Sequence, residues 1–294
     1  MTEHHPAHRG IVTTLTGIVI NIFLALTKGI AGYIGNSYVL IADAIESLSD
    51  VVSSLIVLGG LRIAAKPRDE NHPYGHGKAE PIAAMVVSVS LLGAAVTIVV
   101  QSIYEIIIPH HAPEPFTLLV LVVVIAIKES LFRFVFSVGT AIESTVVKTD
   151  AWHHRSDAIT SATAFLGISI ALIGGKGFES ADDYAALIAS VIIAFNAYRM
   201  FRPALDEVMD VAPPPQIEER IRSIASGVPG VLGLDKCLVR KMGFEYYVDL
   251  HVIVDGNVSV KVGHLISHHV KDTIMHTEPR VGDVLIHIEP SELL

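Results

Sequence analysis

The chain of 294 residues is 51% hydrophobic and only 17% charged, with a mean hydropathy of +0.54, where a soluble domain carries about 25% charged residues. That balance points to a membrane protein, and the net charge of −9 argues against a nucleic-acid partner. A single cysteine, Cys237, excludes an intramolecular disulfide framework and any all-cysteine zinc site, while fifteen histidines favour nitrogen and oxygen ligation.

The chain opens on a polar, histidine-rich stretch, MTEHHPAHRG, whose His4, His5 and His8 read as solvated side chains. The apolar run that follows is too long for the core of a cleavable signal, so none is expected. A spanning helix needs about 20 mostly apolar residues. Six segments meet that need, near 11–34, 39–64, 81–107, 116–138, 151–173 and 184–201. In the fourth, Lys128, Glu129 and Arg133 read as an inward-facing ion pair beside a snorkelling arginine. His110 and His111, before that segment, read as solvated.

Basic residues fall on one side of these segments. Arg9, Lys66, Arg68, Lys78, Lys148, Arg199 and Arg202 share it, and the opposite loops contain only Lys176. The positive-inside rule then places both termini in the cytoplasm of a multi-pass protein of the cell (inner) membrane.

Past residue 209 the pattern becomes that of a soluble domain, 210–294. VAPPPQ stops the last span. QIEERIRSIASG and VKVGHLISHHVKDTIMHT have the apolar period of amphipathic helices. GVLGLDKCLVRKMG, FEYYVDLHVIVDG and DVLIHIEP read as strands. The expected fold class is therefore an all-α six-helix transmembrane bundle, 1–209, followed by a cytoplasmic α+β domain of order α-β-β-α-β. A unit of that size folds with a thin margin, and dimerisation is its natural support.

Two short runs carry the chemistry. ADAIESLSD puts Glu46 and Asp50 four residues apart in the second segment, and DAWHHRSD does the same for His153 and Asp157 in the fifth. Residues four apart share one helix face, and ionisable groups at membrane depth mark a site or a pathway. Neither helix alone closes a tetrahedral shell, so the four form a site only if the two helices converge. Three carboxylates and one imidazole suit Zn²⁺ first, with Fe²⁺, Co²⁺, Mn²⁺ and Cd²⁺ also compatible. Asp43 and Asp150 extend the same faces, either as partners of the ligands or as helix-end polar residues. His154 and Arg155 point to other faces.

Asp69, His72 and His76 form a compact cluster in the loop RDENHPYGHGKAE, where Pro73 and Gly75 permit a tight turn. This reads either as a labile or regulatory metal site or as a solvated polar loop. In the tail, Asp249 and His251 lie two apart on a strand, hence on one sheet face, and His287 and Glu289 repeat that spacing. His264 and His268 lie four apart on a helix. Clustered metal ligands are expected here, against ordinary polar alternation on the solvent side of a sheet.

Taken together, ESLSDVVSSL, NHPYGHGKAEP, HHRSDAITSA and the tail run VDLHVIVDGNVSV…GH…DVLIHIEP resemble the cation diffusion facilitator family. The resemblance covers nearly the whole chain in one order. It implies a homodimeric antiporter of divalent metal against protons, embedded in lipid, with a metallochaperone-like tail. It implies transport ligands at Glu46, Asp50, His153 and Asp157, a loop site at Asp69, His72 and His76, and a tail site at Asp249 or His251 with His264, His287 and Glu289. It also implies an inter-subunit charge pair at Lys78 and Asp210. It implies divalent metal, Zn²⁺ first, as substrate and as regulatory ligand, and no organic cofactor. Two departures stand out. Glu46 occupies a place where relatives commonly have aspartate or histidine, and Leu234 stands where some have histidine.

No HExxH or GxxxxGK[ST] run is present, so neither a metalloprotease helix nor a nucleotide-driven pump is indicated. The rivals to antiport are a cation channel using the carboxylates as a selectivity ring and a membrane metal sensor that moves nothing.

Overall fold

The computed structural model describes residues 6–34, 38–107, 115–174 and 181–291. His4, His5, His110, His111 and Lys176 lie outside the described residues, as do the side chains of Asp43 and Glu46.

Six long helices occupy the first part: α1 (Pro6–Ile34), α2 (Tyr38–Ala64), α3 (Ala79–Ile107), α4 (Thr117–Ala141), α5 (Thr145–Gly174) and α6 (Ala181–Val208). At about 1.5 Å per residue, each is long enough to cross the roughly 30 Å hydrocarbon layer. Among the described residues, His8–Ile30, Ala79–Tyr104 and Thr145–Gly174 are also apolar enough to do so by composition alone. In α4, Lys128, Glu129 and Arg133 interrupt the apolar run.

The burial pattern is inverted relative to a water-soluble bundle. Val19, Phe23, Leu119, Ile188 and Val191 are exposed on the bundle surface, while Asn21, Lys28, Asp50, Lys128, Asp150, His153 and His154 are buried. Apolar groups outside and polar groups inside is the arrangement that hydrocarbon solvent dictates.

Helix α1 packs on α2, α4 packs on α5, and α3 lies against both α2 and α5. Leu91 and Ala95 of α3 meet Ile193 and Ala197 of α6. Small residues allow close approach. A Cβ added at Gly60 of α2 would sit 2.4 Å from the Ala83 Cβ of α3, whereas one at Gly59 would meet nothing within 4 Å.

The chain divides into two compact units, Met1–Leu205 and Asp206–Leu294. The sixth helix runs beyond the expected 201, with Pro203 inside it, and its last turn belongs to the second unit. There Glu207 accepts a 3.0 Å bond from Lys241 Nζ.

The second unit contains α7 (Pro215–Ser226), β1 (Gly233–Met242), β2 (Glu245–Val254), α8 (Val260–Thr277) and β3 (Val281–Pro290). Proline suits the first position of α7, where no backbone donor is needed. Strand β2 is central, antiparallel to β1 and parallel to β3. The parallel pairing requires a crossover, which α8 supplies. Tyr246, Val248, Leu250, Val252 and Val254 alternate onto the face covered by Ile221 of α7 and by Val270 and Ile274 of α8. Because the strand period is two, Asp249 and His251 face the other way, onto the sheet face without helices.

Candidate metal centres

In α2, Asp50 is buried against α5, and Ser54, one turn later, donates a 3.3 Å bond to Asp150 of the same helix α5. His153 Nε2 lies 3.0 Å from Asp50 Oδ1. Donor atoms of Asp50, His153 and Asp157 all lie within 4.8 Å of one another. The i,i+4 logic of α5 thus meets the carboxylate of α2 across the helix interface. The His153 Nδ1 is buried without a hydrogen-bond partner. Two anionic groups and an imidazole, enclosed by protein, make a donor set for a divalent cation. Glu46 stands one turn before Asp50 on α2, with its side chain outside the described residues.

A fourth side chain enters this site. Lys128 Nζ donates to Asp50 Oδ2 at 2.5 Å, to Asp157 Oδ2 at 2.9 Å and to Asn21 Oδ1 at 3.0 Å. This corrects the expectation that Lys128 and Glu129 form an inward ion pair. Adjacent residues on a helix lie about 100° apart, so only Lys128 faces the interior. Glu129 instead pairs with Arg133, one turn on, at 2.8 Å on the outer face. The signal for Lys128 was present in the sequence as a lysine amid an apolar helix; Asn21 carried none.

Asp150 and His154 are fully buried a turn before His153 and Asp157 respectively. Their closest approach is 3.9 Å, between His154 Nε2 and Asp150 Oδ2. Arg155 turns away over the Phe132 and Trp152 rings, at 4.5 and 5.3 Å from their centroids.

The loop after α2 folds around Asp69. Its Oδ1 accepts from the backbone N–H of Asn71 at 3.0 Å and of His72 at 2.7 Å, and lies 3.0 Å from His72 Nδ1. His76 Nε2 lies 3.3 Å from Oδ2. Gly75, at φ +85°, makes the turn that brings the imidazoles together, with ring centroids 4.2 Å apart. Hydrogen bonding from His72 holds the Asp69 carboxyl below its ordinary range. Three donors within 4.8 Å result, at an accessible position. Lys78 follows this loop just before α3, and Asp210 follows α6 at φ +58°; they belong to different units.

On the helix-free face of the sheet, the parallel register sets His251 beside His287. Their rings are 4.8 Å apart, and Glu289 Oε1 lies 2.6 Å from His251 Nδ1. His251, His287 and Glu289 form the third cluster. Of the two alternatives on β2, His251 joins it and Asp249 does not. His264 also lies outside this group. It sits on α8, with its ring 4.6 Å from that of His268, beside a cavity of about 400 Å³ that Ile286 and Ile288 also line.

Comparison with known proteins agrees with this organisation. Residues 14–209 match the family described as the cation efflux transmembrane domain, and 213–291 match the cation efflux protein, cytoplasmic domain. The chain therefore belongs to the cation efflux family, the cation diffusion facilitators, which are membrane transporters of divalent metal ions. It is 30% identical to the manganese efflux system protein MneP of Bacillus subtilis, over 94% of each chain. It is 33% identical to metal tolerance protein C1 of Arabidopsis thaliana, over 99% of this chain and 66% of that longer one. Among solved structures, MamM-CTD 215-293 aligns at 25% identity and a TM-score of 0.26, covering 26% of this chain and 96% of that one.

Proposed function

We propose that this protein exports divalent metal from the cytoplasm in exchange for protons, as a homodimer in the cell membrane with both termini cytoplasmic. The observation that carries the reading is the convergence of Asp50, His153 and Asp157 from two long helices of the first unit, α2 and α5. Metal binding requires ionised carboxylates and a neutral imidazole, so protons compete for the same atoms. Histidine exchanges protons near neutral pH, which makes His153 the natural coupling group. Glu46 completes the ligand set. The helices rock around this fixed site to give alternating access.

The membrane domain spans 1–209, and the tail, 210–294, binds metal and dimerises. Asp69, His72 and His76 hold a labile ion at the cytoplasmic surface. His251, His287 and Glu289 hold a regulatory ion, with His264 and Asp249 approaching on dimerisation. Lys78 pairs with Asp210 between subunits.

The nitrogen and oxygen donors suit Zn²⁺ as first substrate. Mn²⁺ is the second reading, favoured by the carboxylate-rich set and by the relative named for manganese efflux. The deciding measurement is metal uptake into sealed proteoliposomes, with Zn²⁺, Fe²⁺, Mn²⁺, Co²⁺ and Cd²⁺ compared under an imposed pH gradient. Saturable flux that follows the gradient and disappears in Asp157→Ala is expected. Passive, non-saturating conduction would make the protein a channel, and no flux at all would make it a sensor.

A further inference from the structure

We propose that Lys128 is a tethered competitor for the substrate metal, whose ammonium group must leave Asp50 and Asp157 each time an ion takes them. This rests on reading the Asp50–His153–Asp157 cluster as the transport site. The geometry is specific. An ammonium has three donors, and those of Lys128 are spent on Asp50, Asp157 and Asn21, at 2.5, 2.9 and 3.0 Å. Four helices converge on that one nitrogen: α1 brings Asn21, α2 Asp50, α4 the lysine and α5 Asp157. The lysine side chain is 1% exposed, and it is the largest fully buried side chain among the described residues.

An ion held by both carboxylates would sit about 2.0–2.2 Å from their oxygens. It would lie where the ammonium now does, or in contact with it. Two like charges cannot share that position at low dielectric, so binding one displaces the other. Lysine suits the task better than arginine. Its charge is a point on a flexible four-carbon stem, whereas a guanidinium would grip a carboxylate through a rigid fork. The exchange keeps the paired carboxylates of α2 and α5 neutralised in either condition. It also sets a threshold that an ion must exceed to enter, and it helps expel the ion afterwards. Affinity is given up in favour of turnover.

The test compares full-length wild type, Lys128→Met and Lys128→Arg in proteoliposomes, reading initial uptake against Zn²⁺ and Mn²⁺ concentration. Lys128→Met should lower the half-saturating concentration by about tenfold or more and reduce the maximal rate, because a like charge no longer opposes the ion. Lys128→Arg should raise it. An unchanged or higher half-saturating concentration in Lys128→Met overturns the proposal.

Loss of a buried positive charge can also unfold the bundle, so melting is measured in detergent as well. Wild type and Lys128→Met are compared after His72→Ala and His251→Ala have removed the loop and tail clusters. A competitor predicts that added Zn²⁺ raises the melting temperature of Lys128→Met far more than that of wild type. A merely structural lysine predicts a loss that metal does not repair, which overturns the proposal. Asp157→Ala is the separate control. Normal flux there overturns the site reading and this inference with it. Lost flux there, with no shift in Lys128→Met, overturns this inference alone.

Discussion

At the scale of single residues, the proposed transport site joins groups that ask different things of an ion. His153 is the softest of its donors, with Asp50 3.0 Å from its Nε2. Replacing it by aspartate makes the site all-oxygen, which favours harder ions such as Mn²⁺ over Zn²⁺. We therefore expect His153→Asp to invert the Zn²⁺/Mn²⁺ order of transport rates and to alter its pH profile, measured in proteoliposomes across pH 6 to 8. An unchanged profile would move the exchanged proton to another group. Glu46→Asp should likewise change metal preference more than maximal flux. The pairs in α2 and α5 were legible because ionisable residues at i,i+4 stand out against an apolar background. Lys128 was legible as an oddity, but its partners were not, because a helix period says which residues share a face and not which helix they meet.

At the scale of elements, the two adjacent glycines of α2 make a paired test of helix packing. Gly60 abuts α3, with a Cβ position 2.4 Å from Ala83, and Gly59 faces open space. Gly60→Ala should cost about 1–3 kcal/mol by overpacking. Gly59→Ala should be neutral or gain up to about 1 kcal/mol in helix propensity. Melting temperatures in detergent decide this, and equal effects would reject the α2–α3 contact. In β1, burial pushes the Cys237 thiol up to about 11. The folded tail then keeps a proton that the unfolded chain releases above the ordinary value of 9.0, so stability is lost as pH rises between those values. Urea unfolding of the tail, expressed from Pro213, should show a falling midpoint from pH 8.5 to 10.5. The Cys237→Ala tail should lose less over that range, and equal losses would refute the role assigned to the thiol.

At the scale of the whole molecule, the tail is a small sheet with a candidate metal-binding cluster, His251, His287 and Glu289, on the face opposite α7 and α8. Zn²⁺ should raise the melting temperature of the isolated tail by mass action. Replacing His251, His287 and Glu289 together by alanine should remove that rise. Full-length flux in the same triple variant should be slowed and not abolished, since Asp50, His153 and Asp157 are untouched. Complete loss of flux with normal insertion would make the tail an obligatory part of the transport path. No rise in the wild-type tail would leave the three as solvated strand residues.

The one-dimensional pattern by itself determined the order of elements. Apolar runs long enough to span, a proline stop, and the change from helical to alternating period are local properties, and they anticipated the α-β-β-α-β tail as well as the six long helices. It also determined which candidate ligands share an element: Asp50 with Glu46, His153 with Asp157, His287 with Glu289. Only the tertiary structure decided which elements meet. The parallel register of β2 with β3 set His251, and not Asp249, beside His287. The packing of α4 against α5 and α1 delivered Lys128 to two carboxylates, one of which, Asp50, also pairs with His153. Spacing along a chain constrains direction around one axis, whereas a binding site needs the distance between axes, and that is fixed by side chains packing across helices and by strand register.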